Sequence, residues 1–303
     1  MIVKNYLKLK GCAALILILL GMPFIYRVES VRSLSPSDIK LSSDVIPQGD
    51  VGLIEIAVKN GQTPEIVWMN QKLFPVPDRK RVTWYAFLGV DLNSKPGRYP
   101  LTITISPSGD IRKLLIEVKA EDYGVRRLTL PKKMVDLDSQ TLKRVRKESK
   151  MMNEVWRTTP TDPIWIGAFE RPIPGEIAGP FGRRSVINDQ PRSPHSGVDL
   201  RGKRGTPVKA INRGKVALTG DFFFTGLTVI VDHGGGIQSM YFHLDRIQVQ
   251  KAQIVEKSQV LGTLGSTGRA TGPHLHWGIR INGARINPIR FMILSQRLNG
   301  FFS

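Results

Sequence analysis

Short apolar segments that alternate residue by residue, each stopped by a turn, set the strongest limit on what this chain can fold into. Ile54, Ile56 and Val58; Val82, Trp84 and Ala86; Leu101, Ile103 and Ile105; and Leu114, Ile116 and Val118 each place three apolar side chains on one face of an extended strand. Asn60-Gly61, Pro96-Gly97 and Pro107-Ser108-Gly109-Asp110 separate them. Short strands at this spacing, with no helical period between them, predict a small β-sandwich of Ig-like type over residues 31–125. This stretch contains no histidine and no cluster of catalytic side chains. Its aromatic residues Trp68, Trp84, Tyr85 and Phe87 read as core and edge packing rather than a binding face.

One helix interrupts the strands. Asp138 suits its N-cap, and Leu142, Val145, Met152 and Trp156 recur along one stripe. Lys143, Arg144, Arg146, Lys147 and Lys150 cover the other faces, making a basic amphipathic helix within a linker at 126–163 that ends at Thr158-Thr159-Pro160-Thr161-Asp162-Pro163. From 164 to 303 the pattern returns to strand and turn, now dense in glycine, with Val208, Val216, Val229, Val231 and Leu264 among the apolar positions. No dinucleotide or phosphate-loop spacing occurs among these glycines.

The start of the chain carries Lys4, Lys8 and Lys10 ahead of an apolar run through residues 12–25. That is the layout of an export signal or, where no cleavage follows, of an inner-membrane anchor over residues 1–30. The run is short beside the roughly 20 residues of a full span, and no Ala-x-Ala site follows it; cleavage and anchoring both remain open. Cys12 is the only cysteine and lies inside this segment, so the exported body has neither a disulfide nor a thiolate zinc site. Lys plus Arg number 44 against 25 acidic residues, a net charge of +19, which implies an anionic partner or surface. On an exported chain with scattered basic residues, an anionic envelope surface accounts for the charge and nucleic acid is set aside.

All five histidines fall between His195 and His276. His274 and His276 stand two apart in a strand-like run and so share a face. His195 and Asp199, four apart, return to one side of either a strand or a helix. A hydrolytic zinc needs three N or O ligands and one open position; His195, Asp199 and one member of the later pair would supply them. His243 and the other member then remain to move protons, as an imidazole titrating near 6.5 can. Each piece alone is commonplace, and His233 reads as a turn or supporting residue. It is their company in one stretch that points to a site.

These motifs resemble those of the LytM and lysostaphin family of zinc metallopeptidases, which cut peptide cross-links of bacterial peptidoglycan. The likeness runs through Gly179-Pro180-Phe181-Gly182, His195-x-x-x-Asp199, Gly205-Thr206-Pro207-Val208, Tyr241-x-His243-Leu244, Gly265-Ser266-Thr267-Gly268 and Thr271-Gly272-Pro273-His274-Leu275-His276. It implies that His195, Asp199 and His276 take one zinc ion per peptidase domain and that His243 and His274 are the catalytic histidines. It also implies a two-sheet antiparallel β peptidase domain over 164–303 with the zinc in a groove, completing an all-β chain. Where family members often have glycine, this chain has Ala252 and Ser258. The activity expected is endopeptidase cleavage of peptidoglycan cross-links or stem peptides in the cell envelope, periplasmic or extracellular. The alternative is a non-catalytic wall-binding regulator that activates another hydrolase.

Overall fold

The computed structural model describes residue 35 and residues 38–129, 137–157 and 162–299, and strands carry most of that length. Two sheets form between Ile39 and Lys119. One has the order β1 (Ile39–Leu41), β3 (Val51–Ala57), β7 (Thr83–Gly89), β6 (Val76–Pro77). The other runs β2 (Val45–Pro47), β9 (Asp110–Lys119), β8 (Gly97–Ser106), β4 (Thr63–Trp68), β5 (Gln71–Leu73), antiparallel except between β2 and β9. Ile54, Ile56 and Leu88 from the first sheet share a core with Ile66, Leu101, Ile103 and Ile116 from the second.

Alternation fails in β3 and β7, which read Val-Gly-Leu-Ile-Glu-Ile-Ala and Thr-Trp-Tyr-Ala-Phe-Leu-Gly. Their second face is buried as well: Leu53, Tyr85 and Phe87 join a larger core with Trp165, Phe169 and Phe291. A strand covered on both sides has no solvent face to mark with polar residues. Phe87 lies 5.0 Å from Phe291 and 6.1 Å from Trp165, ring to ring. Trp68, Trp84, Tyr85 and Phe87 are all buried, as packing requires. Charged pairs close the same junction. Arg285 forks onto Asp91 at 2.7 and 2.9 Å, and Arg290 bridges Asp50 at 2.8 Å and Glu121 at 3.0 Å.

The rest of the chain builds a ten-stranded sheet. Its main order is β11 (Ile177–Gly179), β14 (Val198–Arg201), β21 (His274–Ile281), β18 (Ile237–Ile247), β17 (Gly226–Gly234), β16 (Gly214–Phe222), β19 (Ile254–Val255). β15 (Pro207–Lys209) and β20 (Val260–Leu264) attach through β18, and β22 (Ala284–Ile286) through β21. A separate three-stranded sheet joins β10 (Val125–Leu128), β12 (Arg184–Ile187) and β13 (Gln190–Pro191). The strand pairs within 164–303 are all antiparallel, and the parallel pair comes from outside that range: β10 runs parallel to β12, from Val125 opposite Arg184 to Leu128 opposite Ile187. Parallel neighbours need a long crossover, and here the crossover contains the helix.

That helix, α1 (Ser139–Arg157), is capped by Asp138, whose Oδ1 accepts from the Thr141 N–H at 2.8 Å. Met152, Val155 and Trp156 rest on Leu218, Phe222, Ile230, Met240 and Phe242, with the basic residues exposed. Leu142, expected on the packed stripe, is exposed instead. A second helix, α2 (Pro288–Ser295), starts at Asn287, which caps Ile289 and Arg290, with Pro288 in the first turn where no N–H is needed. Among the described residues no helix is long and apolar enough to cross a membrane. The apolar run at 12–25 lies outside the described residues, as do 130–136 and 158–161 of the linker.

Candidate active site

β14 and β21 lie antiparallel with Asp199 opposite His276 and Arg201 opposite His274. Leu275, Trp277 and Ile279 of β21 fill the core, so alternation leaves His274 and His276 on the other face beside Asp199. His195 reaches the same point from the loop before β14, which its own N–H ties to the Arg183 carbonyl at 3.0 Å. His195 Nε2 stands 3.0 Å from Asp199 Oδ1 and 2.9 Å from His276 Nδ1, and that Nδ1 is 3.0 Å from the same carboxylate oxygen. The three residues form a group able to hold a metal ion.

Hydrogen bonding fixes which atoms face inward. His195 Nδ1 lies 2.9 Å from the Pro180 carbonyl, an acceptor only, so it carries the proton and turns the Nε2 lone pair toward Asp199. Two ring nitrogens and a carboxylate oxygen at these separations are acceptors that need positive charge among them. Burial alone would raise the Asp199 carboxyl, but the close His195 and His276 rings, donors to it whenever they are protonated, outweigh burial and hold it well below the usual range. Burial alone would lower His195, yet the Asp199 hydrogen bond raises it, the same demand for a cation seen from the other partner. A set of two imidazoles and one carboxylate, one donor short of a closed tetrahedron, fits zinc with an open position.

Two glycines make the convergence possible. A Cβ on Gly179 would stand 2.8 Å from Asp199 Cγ, and one on Gly197 would stand 2.7 Å from His276 Nε2. Both positions lie outside the positive-φ region, so what they supply is space. His276 Nε2 is buried in that space without a hydrogen-bond partner among the described residues, and the Phe242 ring stacks on the imidazole at 5.1 Å.

His243 and His274 stand beside the cluster, their rings 4.7 Å apart. Each is oriented by a backbone carbonyl: His243 Nδ1 lies 2.8 Å from Thr267 O and His274 Nδ1 2.8 Å from Gly272 O. In both, Nε2 is the ring nitrogen not engaged by the backbone, and that of His274 lies 3.9 Å from Asp199 Oδ1. Burial above all, and then the neighbouring His274 and His276, push His243 down to about 4, so its ring is neutral at pH 7. It reaches this face through a bulge. Strict alternation in β18 would send His243 inward after Tyr241, but the pairing with β17 shifts register between Leu227 and Val229. His243 adopts φ 63°, its N–H bonds to Thr225 O at 2.8 Å, and Leu244 takes the core position.

The description "Peptidase family M23" matches residues 193–288. A crystal structure described as a putative peptidase M23 from Pseudomonas aeruginosa superposes with a TM-score of 0.65 at 32% identity, covering 82% of this chain and 95% of that one. The chain belongs to peptidase family M23. Among curated relatives, it is 37% identical over 122 residues to "DD-carboxypeptidase/endopeptidase Mpg" of Neisseria meningitidis serogroup B, 40% of this chain and 28% of that protein. It is 38% identical over 98 residues to "Peptidoglycan DD-endopeptidase ShyA" of Vibrio cholerae, 32% of this chain and 23% of the relative. The chain thus spans about a quarter of the length of these curated relatives.

In this M23 chain the cluster lies in an open groove of about 1050 Å³. Part of its wall falls ahead of the matched segment. Arg126 and Leu128 of β10 and Ser185 and Ile187 of β12 alternate into the groove, paired in register Arg126 to Ser185 and Leu128 to Ile187. Sequence reasoning placed residues 126–128 in a linker and gave them no part in the site; a single short strand with two arginines carries no period that could have done so. Phe224 and Thr225, at the tip between β16 and β17, form part of the opposite wall. His233 is buried away from the cluster, its Nδ1 2.8 Å from Arg213 O and its Nε2 2.8 Å from Ser239 Oγ.

Proposed function

We propose that the chain is a zinc-dependent endopeptidase that hydrolyses peptide cross-links or stem peptides of bacterial peptidoglycan. The observation that carries this reading is the convergence of His195, Asp199 and His276 on one point, with His243 and His274 beside it, each held through Nδ1 by a backbone carbonyl. The names of the two curated relatives, both endopeptidases, support it. His195 Nε2, Asp199 Oδ1 and His276 Nδ1 would hold the ion. When bound, zinc would supply a Lewis acid for the scissile carbonyl and an acidified water. His243, neutral through burial, accepts the proton of the attacking water at Nε2. The His243 ring then passes that proton from Nε2 to the leaving nitrogen, while His274 Nε2, on the same side, accepts a hydrogen bond from the water and steers it. The carbonyls of Thr267 and Gly272 keep both rings in the tautomer this requires.

The finer organisation belongs to the same proposal: a signal or anchor at 1–30, an Ig-like β-sandwich at 31–125, a linker with the basic helix at 126–163 and the peptidase at 164–303. So does an envelope location, periplasmic or extracellular. Purified protein is expected to hold about one zinc and to release defined fragments from isolated wall, read by mass analysis of the soluble peptides. The control is His243→Ala, with zinc retained and fragments lost. If wild type and His243→Ala are equally inert on walls from several bacterial types while both hold zinc, the reading fails. Wall binding without cleavage, together with stimulation of a separate hydrolase, would put the regulator in its place.

A further inference from the structure

Among the described residues five arginines line the groove, at 126, 183, 192, 201 and 269, and Asp199 is the only acidic lining residue. Asp199 is committed to His195 and His276. Five arginines elsewhere find carboxylates: Arg144 pairs with Glu148, Arg204 with Asp245, Arg213 with Glu256, Arg285 with Asp91, and Arg290 with Asp50 and Glu121. In the groove none does. No carboxylate among the described residues forms an ion pair with any of the five. Other described arginines outside the groove, Arg79, Arg98 and Arg246 among them, also form no ion pair with a described carboxylate; what sets the groove apart is that five arginines share one cleft with a single carboxylate.

The arginines are placed on three sides. Arg126 projects from β10 and Arg192 follows β13, so the three-stranded sheet carries both; Arg183 immediately precedes β12. Arg201 lies on β14 two residues from Asp199, on the same face and opposite His274 in register. Arg269 holds its guanidinium 4.3 Å above the Phe224 ring, while its N–H bonds to Phe224 O at 3.0 Å. Stacking fixes the plane of a guanidinium and leaves its edge donors free to fork onto a planar anion. Arg192 lines the same groove, and burial first, then the charge of Arg192, lower Arg269 from its ordinary value. Arg126, Arg183 and Arg192 all precede residue 193, where the family match begins.

We propose that this groove selects peptides carrying free carboxylates, with Arg192 and Arg269 clamping one carboxylate across the groove and Arg126 and Arg201 favouring a second beside the histidines. The inference rests on the endopeptidase reading for its choice of carboxylate, since a peptide offers carboxylates and not phosphates. Arginine suits them through bidentate, charge-assisted hydrogen bonds. It adds to that reading a substrate class and the residues that set it.

The test uses two synthetic wall peptides, identical except that one carries free carboxylates and the other the corresponding amides. Binding is measured by calorimetry to full-length His243→Ala, and cleavage is measured with wild type. The acid peptide is expected to bind and to be cut about tenfold or more better than the amide. In the Arg192→Gln/Arg269→Gln double variant, the advantage of the acid over the amide should shrink several-fold, the remainder resting on Arg126 and Arg201. Arg192→Gln alone, at an exposed hairpin, should give a partial loss with an unchanged melting temperature, which separates lost recognition from lost fold. Equal binding of acid and amide overturns the proposal, as does a double variant that weakens both alike. So does inorganic polyphosphate displacing acid and amide equally, which would make the arginines a polyanion surface. Binding discrimination without any cleavage would sink the endopeptidase reading and leave this inference standing; cleavage without discrimination would do the reverse.

Discussion

Replacing Gly179 by alanine tests the metal centre through a residue that ligates nothing. The added Cβ would stand 2.8 Å from Asp199 Cγ and 3.0 Å from Asp199 Cβ, with no backbone atom among the nearest contacts. Ordinary carbon–carbon contact is about 3.6 Å, so the carboxyl must retreat by about 0.8 Å. Metal–ligand distances tolerate only about 0.2 Å. The carboxylate therefore leaves the position it shares with His195 Nε2 and His276 Nδ1, and zinc affinity should fall about 10- to 100-fold, as when a supporting group is lost from a metal site. The fold should survive, because Gly179 lies in edge strand β11 at a register irregularity and its φ suits alanine. The assay is a competitive zinc titration against a chelating dye, with melting curves of the metal-free protein alongside. Zinc affinity within twofold of wild type at an unchanged melting temperature would refute the reasoning, since the carboxylate would have moved at no cost to the site.

Other substitutions separate roles within the same strands. His276→Ala should lose zinc and peptide cleavage together, whereas His274→Ala should lose cleavage and keep most of its zinc; metal analysis of both decides, and the assignment is wrong if both retain it. Ala252 and Ser258 sit at φ 71° and 64°, where a side chain costs about 1–2 kcal/mol and glycine gives back part of that in unfolded-chain entropy. Ala252→Gly and Ser258→Gly should each stabilise by about 0.5–1 kcal/mol in urea titrations, and a loss of stability in both would contradict it. At Asp91, burial would raise the carboxyl, but the Arg285 fork outweighs it and lowers the value below 3.8. A depressed acid stabilises above its unfolded value and loses that contribution as pH falls through the folded one. Asp91→Asn should therefore cost about 1–2 kcal/mol at pH 7, a difference that shrinks below pH 4; a gap that grows in acid would reverse the sign.

Much of the β structure was legible because alternation reports burial on one face. Leu101, Ile103 and Ile105 read as one face and are one face. Where both faces are buried the signal disappears, and β3 and β7 show what replaces it: an unbroken apolar run whose second face meets Trp165 and Phe291, more than 70 residues further along the chain. No local pattern names that partner. The same limit hid β10. Its pairing with β12 crosses from residue 125 to residue 184, and the alternation that aims Arg126 and Leu128 into the groove acquires meaning only once Ser185 and Ile187 lie beside them.

The histidines divide along the same line. His274 and His276 could be placed together from spacing because a regular strand carries them, and Asp199 follows because β14 pairs with β21 in that register. His243 could not be placed by spacing at all. Alternation from Tyr241 sends it into the core, and the sequence Tyr-Phe-His-Leu holds no glycine to announce the departure. What brings the ring to the groove is a two-against-one bulge that puts a non-glycine residue at φ 63°, a conformation costing on the order of 1–3 kcal/mol. Surrounding hydrogen bonds hold it there, from the His243 N–H to Thr225 O and from Nδ1 to Thr267 O. The one site residue that breaks the strand rule is thus the one whose orientation depends on two separate loops, and those loops also carry Phe224 and Arg269 into the groove.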